Sequence, residues 1–293
     1  MHKITELLKE KKFLISLELV PPRNGIDHQK LYDKISQLKG LVDFISITKG
    51  AGGSLRGGSL PVSYFAQQKF GITVLSHFVC RERTKYQLEN ELVDLHNFGI
   101  RNLLVLRGDP PSGSKDGWDG DYMYAYLLVN QISDMNNGLY LPRSTDEDRK
   151  QGLKTDFCMV IAGHPEDPLW QEARHMKAKV DAGAEVIITQ MIFSFEDYKA
   201  YVEGLRSAGI DVPVIPGIRP LISIEQAEST ETFFKIKIDD GLKHGLKKHG
   251  RKFGIKYFSD MIKKLKDYKA PGVHLFTLND VEIVEELMNC VKK

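Results

Sequence analysis

The chain has 293 residues, of which 42% are hydrophobic and 27% are charged. That balance excludes an intrinsically disordered chain, and the length allows one large domain or two ordinary ones. Lysine and arginine number 41 against 39 acidic residues, so the chain lacks the basic excess of proteins that bind nucleic acid or anionic membranes. We therefore expect a small-molecule substrate.

The cysteines and the N-terminus suggest where the protein works. Cys80, Cys158 and Cys290 are far apart and form no C-x-x-C or Cys/His pair of the kind that zinc and iron–sulfur sites need. The N-terminus MHKITELLKEKKF is charged and helix-like, and no later run reaches membrane-spanning length. We predict core thiols, no metal site, and a cytoplasmic protein without membrane or nucleic-acid partners.

Short apolar runs recur along the chain, and most are separated by stretches with helical spacing. They are FLISLELV (13–20), VDFISIT (42–48), ITVLSHF (72–78), NLLVLRG (102–108), FCMVIAG (157–163), EVIITQM (185–191), VPVIPGI (212–218) and GVHLFTL (272–278). Nearly continuous apolar strands that alternate with helices indicate a parallel sheet covered on both faces. Eight of them predict a single α/β domain over residues 1–293, a (β/α)8 barrel of the TIM type.

Helices are predicted at 27–39, 61–69, 84–98, 121–135, 166–182 and 195–208, with more than one between 223 and 269. Three of them end in a glycine just before a strand, in NFGIRN (97–102), DAGAEV (181–186) and SAGIDV (207–212). Glycine readily adopts the left-handed backbone that closes a helix, so the recurrence supports successive β/α units. An open doubly wound sheet would carry G-x-G-x-x-G after its first strand, where this chain has PPRNG.

Three irregular segments connect the predicted strands and helices at the two ends of the barrel. TKGAGGSLRGG (48–58) is rich in glycine, which lets backbone approach a ligand closely. GDPPSGSKDGWDG (108–120) leaves the C-terminal end of a strand, where barrel active sites are built. Residues 136–155 follow a helix instead, so we expect them at the opposite end of the barrel.

Polar residues stand at the C-terminal ends of the predicted strands. They are Glu18, Thr48, His77, Arg107 with Asp109, His164, Gln190, Arg219 and Asn279. Each alone has a structural interpretation: Glu18 could face outward and pair with a lysine of the KEKK run, His77 could be a core histidine, and His164 could cap the next helix. Their joint appearance at one end of one barrel favours an active site.

Six segments resemble the methylenetetrahydrofolate reductase family. They are SLELVPPR (16–23), DFISITKGAGG (43–53), LLVLRGDPP (103–111), KVDAGAEVIITQ (179–190), VPVIPGIRP (212–220) and HLFTLN (274–279). Members of the family are FAD-containing (β/α)8 barrels that reduce 5,10-methylenetetrahydrofolate to 5-methyltetrahydrofolate with NADH or NADPH, by a ping-pong mechanism. The resemblance implies the same fold, substrates and cofactor here, and association into a homo-oligomer.

The resemblance gives four residues a role in the reaction. Glu18 corresponds to the family's general acid, which opens the five-membered ring of the substrate by protonation so that an iminium ion can accept hydride. A glutamate between two leucines would be desolvated, and its pKa would rise towards neutrality. Asp109 corresponds to a carboxylate near the flavin and the pterin, Gln190 to a contact of folate and nicotinamide, and Gln226 to a further folate contact.

The resemblance also implies a set of flavin contacts, and Thr48 among them is shared with the substrate. The set is Thr48, Ala51, His77, Arg107, Gly108, Asp109, Tyr124, Ala125, His164, Glu172, His175 and Lys179. The protein would supply orientation and electrostatics, while the flavin would carry the hydride.

Three departures from the family pattern bear on the ligands. Lys49 follows the second-strand threonine where many relatives have an aromatic residue, IAGHPED (161–167) is shortened and lacks a tyrosine, and Asp280 replaces an arginine that meets folate in some relatives. Two alternatives follow. The flavin could be reduced by a partner redox protein, or the chain could be a non-catalytic subunit that binds folate or flavin.

Overall fold

The computed structural model describes residues 2–50, 57–109, 119–142 and 149–292. Ala51, most of the 108–120 segment and part of 136–155 therefore lie outside the described residues. The strands in chain order are β1 (Leu14–Leu19), β2 (Phe44–Ile47), β3 (Thr73–Val79), β4 (Asn102–Leu106), β5 (Leu139–Tyr140), β6 (Lys150–Gln151), β7 (Cys158–Gly163), β8 (Val186–Ile192), β9 (Val214–Ile218) and β10 (Gly272–Leu275).

Eight of these strands form a closed barrel in the order β1-β10-β9-β8-β7-β4-β3-β2. Every pairing around the ring is parallel, and β1 closes it by pairing with both β2 and β10. The predicted barrel and its eight strands are confirmed. The antiparallel pair of β5 and β6 was not predicted, because each has only two residues and carries no pattern of its own.

The helices surround the barrel. They are α1 (Ile4–Glu10), α2 (Gln29–Gln37), α3 (Ser59–Phe65) with a π-helical continuation (Ala66–Phe70), α4 (Lys85–Asn97), α5 (Ala125–Asn136), α6 (Leu169–Asp181), α7 (Phe195–Ser207), α8 (Ile224–Phe234), α9 (Asp240–Asp267) and α10 (Val281–Lys292). The three predicted helix-ending glycines, Gly99, Gly183 and Gly209, all have positive φ. The alternative role of His164 as a helix cap is wrong, because α6 begins only at Leu169 and its N-cap is Pro168.

Alternation along the strands separates the barrel interior from the helix layer. In β1, Leu17 and Leu19 pack in the large cluster between strands and helices, whereas Leu14 belongs to the smaller cluster inside the barrel. Residues at every second position share a side of a strand, so Ser16 and Glu18 point inward with Leu14. The Glu18 carboxylate therefore faces the barrel interior.

The N-terminal helix closes one end of the barrel. Ile4 and Leu7 of α1 are buried in the interior cluster, and the Ile4 amide donates to Asn102 Oδ1 at 2.8 Å. Because Asn102 is the first residue of β4, α1 lies beneath the N-terminal ends of the strands. The opposite end, where Glu18 points, is the one left for a ligand.

Candidate active site

Glu18 lies on the inner wall of the barrel, one residue before the end of β1. Its side chain is 19% exposed, and its Oε2 lies 3.6 Å from His77 Nε2 on β3. Burial raises the pKa of the Glu18 carboxyl to about 7. Lys11 of the KEKK run pairs with Asp43 instead, so the alternative that Glu18 is an outward-facing partner of a lysine is wrong.

His77 and Thr48 flank this carboxyl with unsatisfied polar atoms. Burial lowers the pKa of His77 to about 3, so its imidazole is neutral beside Glu18 and the two do not form an ion pair at neutral pH. Among the described residues, His77 Nε2 and Thr48 Oγ1 are buried and have no hydrogen-bond partner. Such atoms are rare in folded proteins, so these two are candidates to bond a ligand.

A polar layer that the sequence interpretation missed lies inside the barrel, formed by Ser16, Ser46 and His274. Ser16 Oγ donates to Val273 O at 3.0 Å, so it must accept from His274 Nδ1, 2.8 Å away. His274 Nε2 is then unprotonated and accepts from Ser46 Oγ at 3.3 Å. Burial and the neighbouring His77 lower the pKa of His274 to about 3, which keeps it neutral. The signal was present in the sequence, because Ser16 precedes Glu18 by two positions and shares its side of the strand.

An irregularity in β8 determines the position of Gln190. The register with β9 shifts between Ile188 and Met191, which makes Gln190 part of a β-bulge. Thr189 Oγ1 donates to the Gln190 carbonyl at 2.8 Å and accepts from the Gly217 amide at 2.9 Å, so its hydroxyl bridges the gap in the ladder. A Cβ at Gly217 would lie 2.2 Å from the Thr189 carbonyl, which explains the glycine in β9. Gln190 remains half-buried on the barrel wall.

Gln226 and Arg219 lie on one side of the barrel mouth, between β9 and α8. Gln226 Oε1 accepts from the Ile222 amide at 3.0 Å, so this side chain also fixes the loop that precedes its helix. Beside it is a cavity of about 920 Å³. Its lining consists of Arg219, Glu225, Glu228, Ser229, Thr230, Thr232, Phe233, Phe234 and Leu278.

A second group of predicted contacts lies where β7 leads into α6. Glu172 is 1% exposed, and its Oε1 accepts from the His164 amide and from Tyr201 Oη, each at 2.7 Å. His164 Nδ1 lies 3.0 Å from Glu166 Oε1, and carboxylates hold its pKa above the ordinary value in spite of burial. Glu172 thus anchors the turn that carries His164.

Lys179 lies on the same face of α6 as Glu172 and His175. Of these three, His175 has an exposed side chain. Lys179 Nζ donates to the Ala162 carbonyl at 3.1 Å. Burial lowers the pKa of Lys179 to about 8, Glu172 opposes that change, and the positive charge of Arg107 adds to it. Lys179 therefore lies near charges of both signs, those of Glu172 and Asp167 on one hand and that of Arg107 on the other.

The remaining predicted residues lie around the end of β4 and the start of α5. Arg107 and Asp109 are exposed and flank Gly108, which has a φ of 90°. Tyr124 is 48% exposed, its ring lies 5.9 Å from that of Tyr126, and it immediately precedes Ala125, the first residue of α5. Asn279, by contrast, is structural: its side chain bonds both the amide and the carbonyl of Val20.

Two of the departures from the family pattern have local explanations. Lys49 Nζ donates to Glu91 Oε2 at 3.1 Å, and Arg83 donates to the same oxygen at 2.6 Å. Two partly buried cations thus share one carboxylate next to Thr48. Asp280 Oδ1 accepts from the Ile283 amide at 3.2 Å, so this residue caps α10.

Two of the three thiols lie in the predicted core positions. Cys80 and Cys158 are buried, Cys290 is half-buried, and none is in a disulfide. Burial raises the pKa of Cys80 to about 11 and that of Cys158 to about 12, which makes both unreactive at neutral pH. Within the described ranges, no helix combines the length and hydropathy needed to cross a bilayer.

Comparison with known proteins identifies relatives over the whole barrel. A sequence model of the methylenetetrahydrofolate reductase family matches residues 3–292. The chain is 31% identical to 5,10-methylenetetrahydrofolate reductase of Salmonella typhimurium, over 92% of this chain and 87% of that protein. It is 29% identical to methylenetetrahydrofolate reductase 1 of Schizosaccharomyces pombe, over 92% of this chain and 44% of that protein. The chain thus spans about half the length of such fungal and plant relatives.

Solved structures show the same fold. An uncharacterised Clostridium thermocellum protein that binds two copies of 5-methyl-5,6,7,8-tetrahydrofolic acid aligns with a TM-score of 0.60 at 17% identity, over 99% of this chain and 97% of that one. A 2,3-dimethylmalate lyase aligns with a TM-score of 0.50 at 10% identity, over 98% of this chain and 81% of that one. At these identities the likeness concerns the barrel alone.

Proposed function

The chain belongs to the methylenetetrahydrofolate reductase family, and we propose that it reduces 5,10-methylenetetrahydrofolate to 5-methyltetrahydrofolate with electrons from NADH or NADPH. The observation that carries this proposal is Glu18, a carboxyl at the open end of the barrel whose pKa burial raises to about 7. The related protein that binds 5-methyltetrahydrofolate on the same fold supports a folate substrate.

Glu18 would act as the general acid. Opening the five-membered ring of the substrate requires a proton at one of its nitrogens, and an acid with a pKa near the working pH can hold and deliver one. His77, neutral at 3.6 Å, leaves that proton on the carboxyl, whereas a cationic neighbour would favour its loss. Because the carboxyl is still 19% exposed, it can meet a ligand in the barrel mouth.

The residues present fit FAD. The buried atoms Thr48 Oγ1 and His77 Nε2 lack partners among the described residues, and the polar edge of a flavin ring offers both donors and acceptors. Lys179 and Arg107 are two cations that would pair with a diphosphate, while the nearby Glu172 carboxylate is already bonded to the His164 amide and to Tyr201. When bound, FAD would carry hydride from the nicotinamide to the folate in two separate half-reactions.

The other flavin contacts that we propose are Ala51, Gly108, Asp109, Tyr124, Ala125, His164, Glu172 and His175. Asp109 would also bind the pterin, and Thr48 and Gln190 would bind the substrate from the barrel wall. Gln226 would do so from the start of α8, where it already fixes the loop. The cytoplasmic location and the homo-oligomer stay predictions from the sequence.

The visible absorption spectrum tests the proposal. A yellow protein that is bleached by anaerobic NADH or NADPH and recoloured by 5,10-methylenetetrahydrofolate would carry out both half-reactions. A yellow protein that neither nicotinamide bleaches would support the alternative that a partner redox protein reduces the flavin. A colourless protein that binds no added FAD would refute the flavin assignment.

Glu18→Gln separates catalysis from binding. It should keep FAD and the oxidation of NADH or NADPH by an artificial acceptor, and lower folate reduction by about 100-fold or more. Glu203→Gln is the matched control, because Glu203 is exposed on α7 and pairs only with Lys199 at 3.8 Å among the described residues. Wild-type folate turnover in Glu18→Gln would refute the assignment of the acid and favour the interpretation as a binding subunit.

A further inference from the structure

The cavity between β9 and α8 has one cation in its lining. Arg219 immediately follows β9, and its Nε donates to Thr230 Oγ1 at 3.0 Å. Thr230 Oγ1 in turn donates to the Gln226 carbonyl at 2.6 Å, so the hydroxyl is held in place as an acceptor. This chain of bonds fixes the guanidinium group through Nε, and its two terminal nitrogens make no hydrogen bond to the residues that the structure describes.

The charge of Arg219 has no neutralising partner among the described residues. No carboxylate in the described ranges lies within 4.0 Å of its nitrogens, whereas the partly buried Lys49, Arg83 and Lys243 each have such a partner. Burial also lowers the pKa of Arg219, which shows that its charge has lost part of its hydration. A partly desolvated guanidinium fixed at one nitrogen is suited to bind an anion with the other two.

The rest of the cavity is suited to a flat apolar group. Leu278 is 63% exposed although it is apolar, and its φ of 52° is unusual for a residue with a side chain. The neighbouring Asn279 holds this turn against Val20, so the conformation is imposed by the fold. Phe233 is 74% exposed, and its ring packs edge-on against Phe234 with centroids 4.8 Å apart.

Two acidic residues restrict where the anion can lie. Glu225 and Glu228 are exposed on α8 and belong to the same cavity lining. A carboxylate beside them would be repelled, so it must lie next to Arg219 to bind favourably. A single guanidinium with apolar walls also suits a carboxylate attached to an aromatic ring better than a diphosphate, for which several cations would be expected.

We propose that Arg219 binds a glutamyl carboxylate of the folate substrate, while Leu278 and the two phenylalanines contact its aminobenzoyl ring. This inference rests on the proposed function. It makes Arg219 a residue that sets substrate specificity in this chain. It also offers a cation for the tail at a position other than Asp280, which is already used as a helix cap.

The test compares 5-methyltetrahydrofolate with its bis-amide, in which both glutamyl carboxylates are neutral amides of the same size. Calorimetric titration of the FAD-loaded protein should show that the wild type binds the acid about 10- to 100-fold more tightly than the amide. In Arg219→Leu the two ligands should bind equally. Arg219→Lys should retain only part of the difference, because an ammonium cannot reproduce the fork of a guanidinium.

Lys248→Leu is the control, because it removes one positive charge from an exposed position of α9 and should leave the wild-type difference unchanged. The flavin spectrum and the melting temperature check that each variant is folded. If Arg219→Leu does not fold, Arg219→Lys becomes the test of the inference. An acid-over-amide preference in Arg219→Lys as large as that of the wild type would overturn the inference.

Other outcomes separate this inference from the function on which it rests. A full preference for the acid in folded Arg219→Leu would overturn the role of Arg219. If folded Arg219→Leu keeps its preference for the acid and its KM for NADH or NADPH is raised, the role in folate binding would also be overturned. Arg219 would then be assigned to the phosphates of the nicotinamide cofactor instead. A wild-type protein that binds neither folate and reduces none would refute the proposed function itself.

Discussion

Replacing Glu18 by glutamine should stabilise the ligand-free protein at neutral pH. The pKa of this carboxyl is about 7 in the fold against 4.5 for the ordinary group. Since the folded state binds the proton more tightly than the unfolded state, the contribution of Glu18 is fully present below pH 4.5 and is lost as the pH rises through 7. A difference of about 2.5 pKa units corresponds to about 3 kcal/mol. Glutamine is neutral throughout and avoids this loss.

Urea unfolding of the flavin-free protein at pH 4.5, 6, 7 and 8 measures the effect. The free energy of unfolding of Glu18→Gln minus that of the wild type should increase by about 3 kcal/mol between pH 4.5 and pH 8, with most of the change before pH 7. In the control Glu203→Gln the corresponding difference should change by less than about 0.5 kcal/mol, as for other surface substitutions.

A constant difference between Glu18→Gln and the wild type across this pH range would refute the reasoning, because the carboxyl would then titrate alike in both states. A difference that decreases with pH would show that an unrecognised cation stabilises the ionised form. Either result would also remove the physical basis for Glu18 as an acid that holds its proton near neutral pH.

Three further predictions concern His274, Asn279 and Lys179. His274→Asn should remove an acid sensitivity: the pKa of His274 falls from 6.5 to about 3 in the fold, so the stability that its neutral form contributes is lost as the pH falls below 6.5, by about 3 kcal/mol at pH 4. Between pH 7 and pH 4 the variant should therefore lose about that much less stability than the wild type in urea unfolding. Asn279→Ala should lower the free energy of unfolding by about 2–3 kcal/mol, because it removes two bonds to Val20 and places alanine at a φ of 67°. Lys179→Met should weaken FAD binding about tenfold or more in a fluorescence titration, whereas Lys177→Met, on the exposed face of the same helix, should not.

The barrel could be predicted because its signals are local and repeated. Each strand is a short apolar run, and glycines end three of the helices, so an error in one unit would not have changed the fold. The start of α6 was placed too early, because the polar turn before Pro168 makes only one tight bond, from the Asp167 amide to the His164 carbonyl at 3.1 Å, and the helix begins at Leu169. The β5–β6 pair depends on contacts across a loop, which no sequence window contains.

The site was predictable only in part. Alternation places Glu18 inside the barrel, and the resemblance to a family supplied its role. Alternation also places Ser16 inside the barrel, but it does not identify the partner of Ser16, because His274 lies 258 positions away. Gln190 owes its position to a bulge that depends on the hydroxyl of Thr189 and on the missing side chain of Gly217, which lie on two different strands.

Burial, rather than an ion pair, sets the protonation of Glu18. A glutamate 3.6 Å from a histidine would ordinarily give its proton to the ring and form a salt bridge. Here burial moves both groups towards their neutral forms, raising the pKa of Glu18 and lowering that of His77. The pair therefore carries no charge between about pH 3 and pH 7, and the proton stays on the oxygen. His274 beneath them is also neutral and already satisfied by two serines, so it neither supplies nor removes that proton.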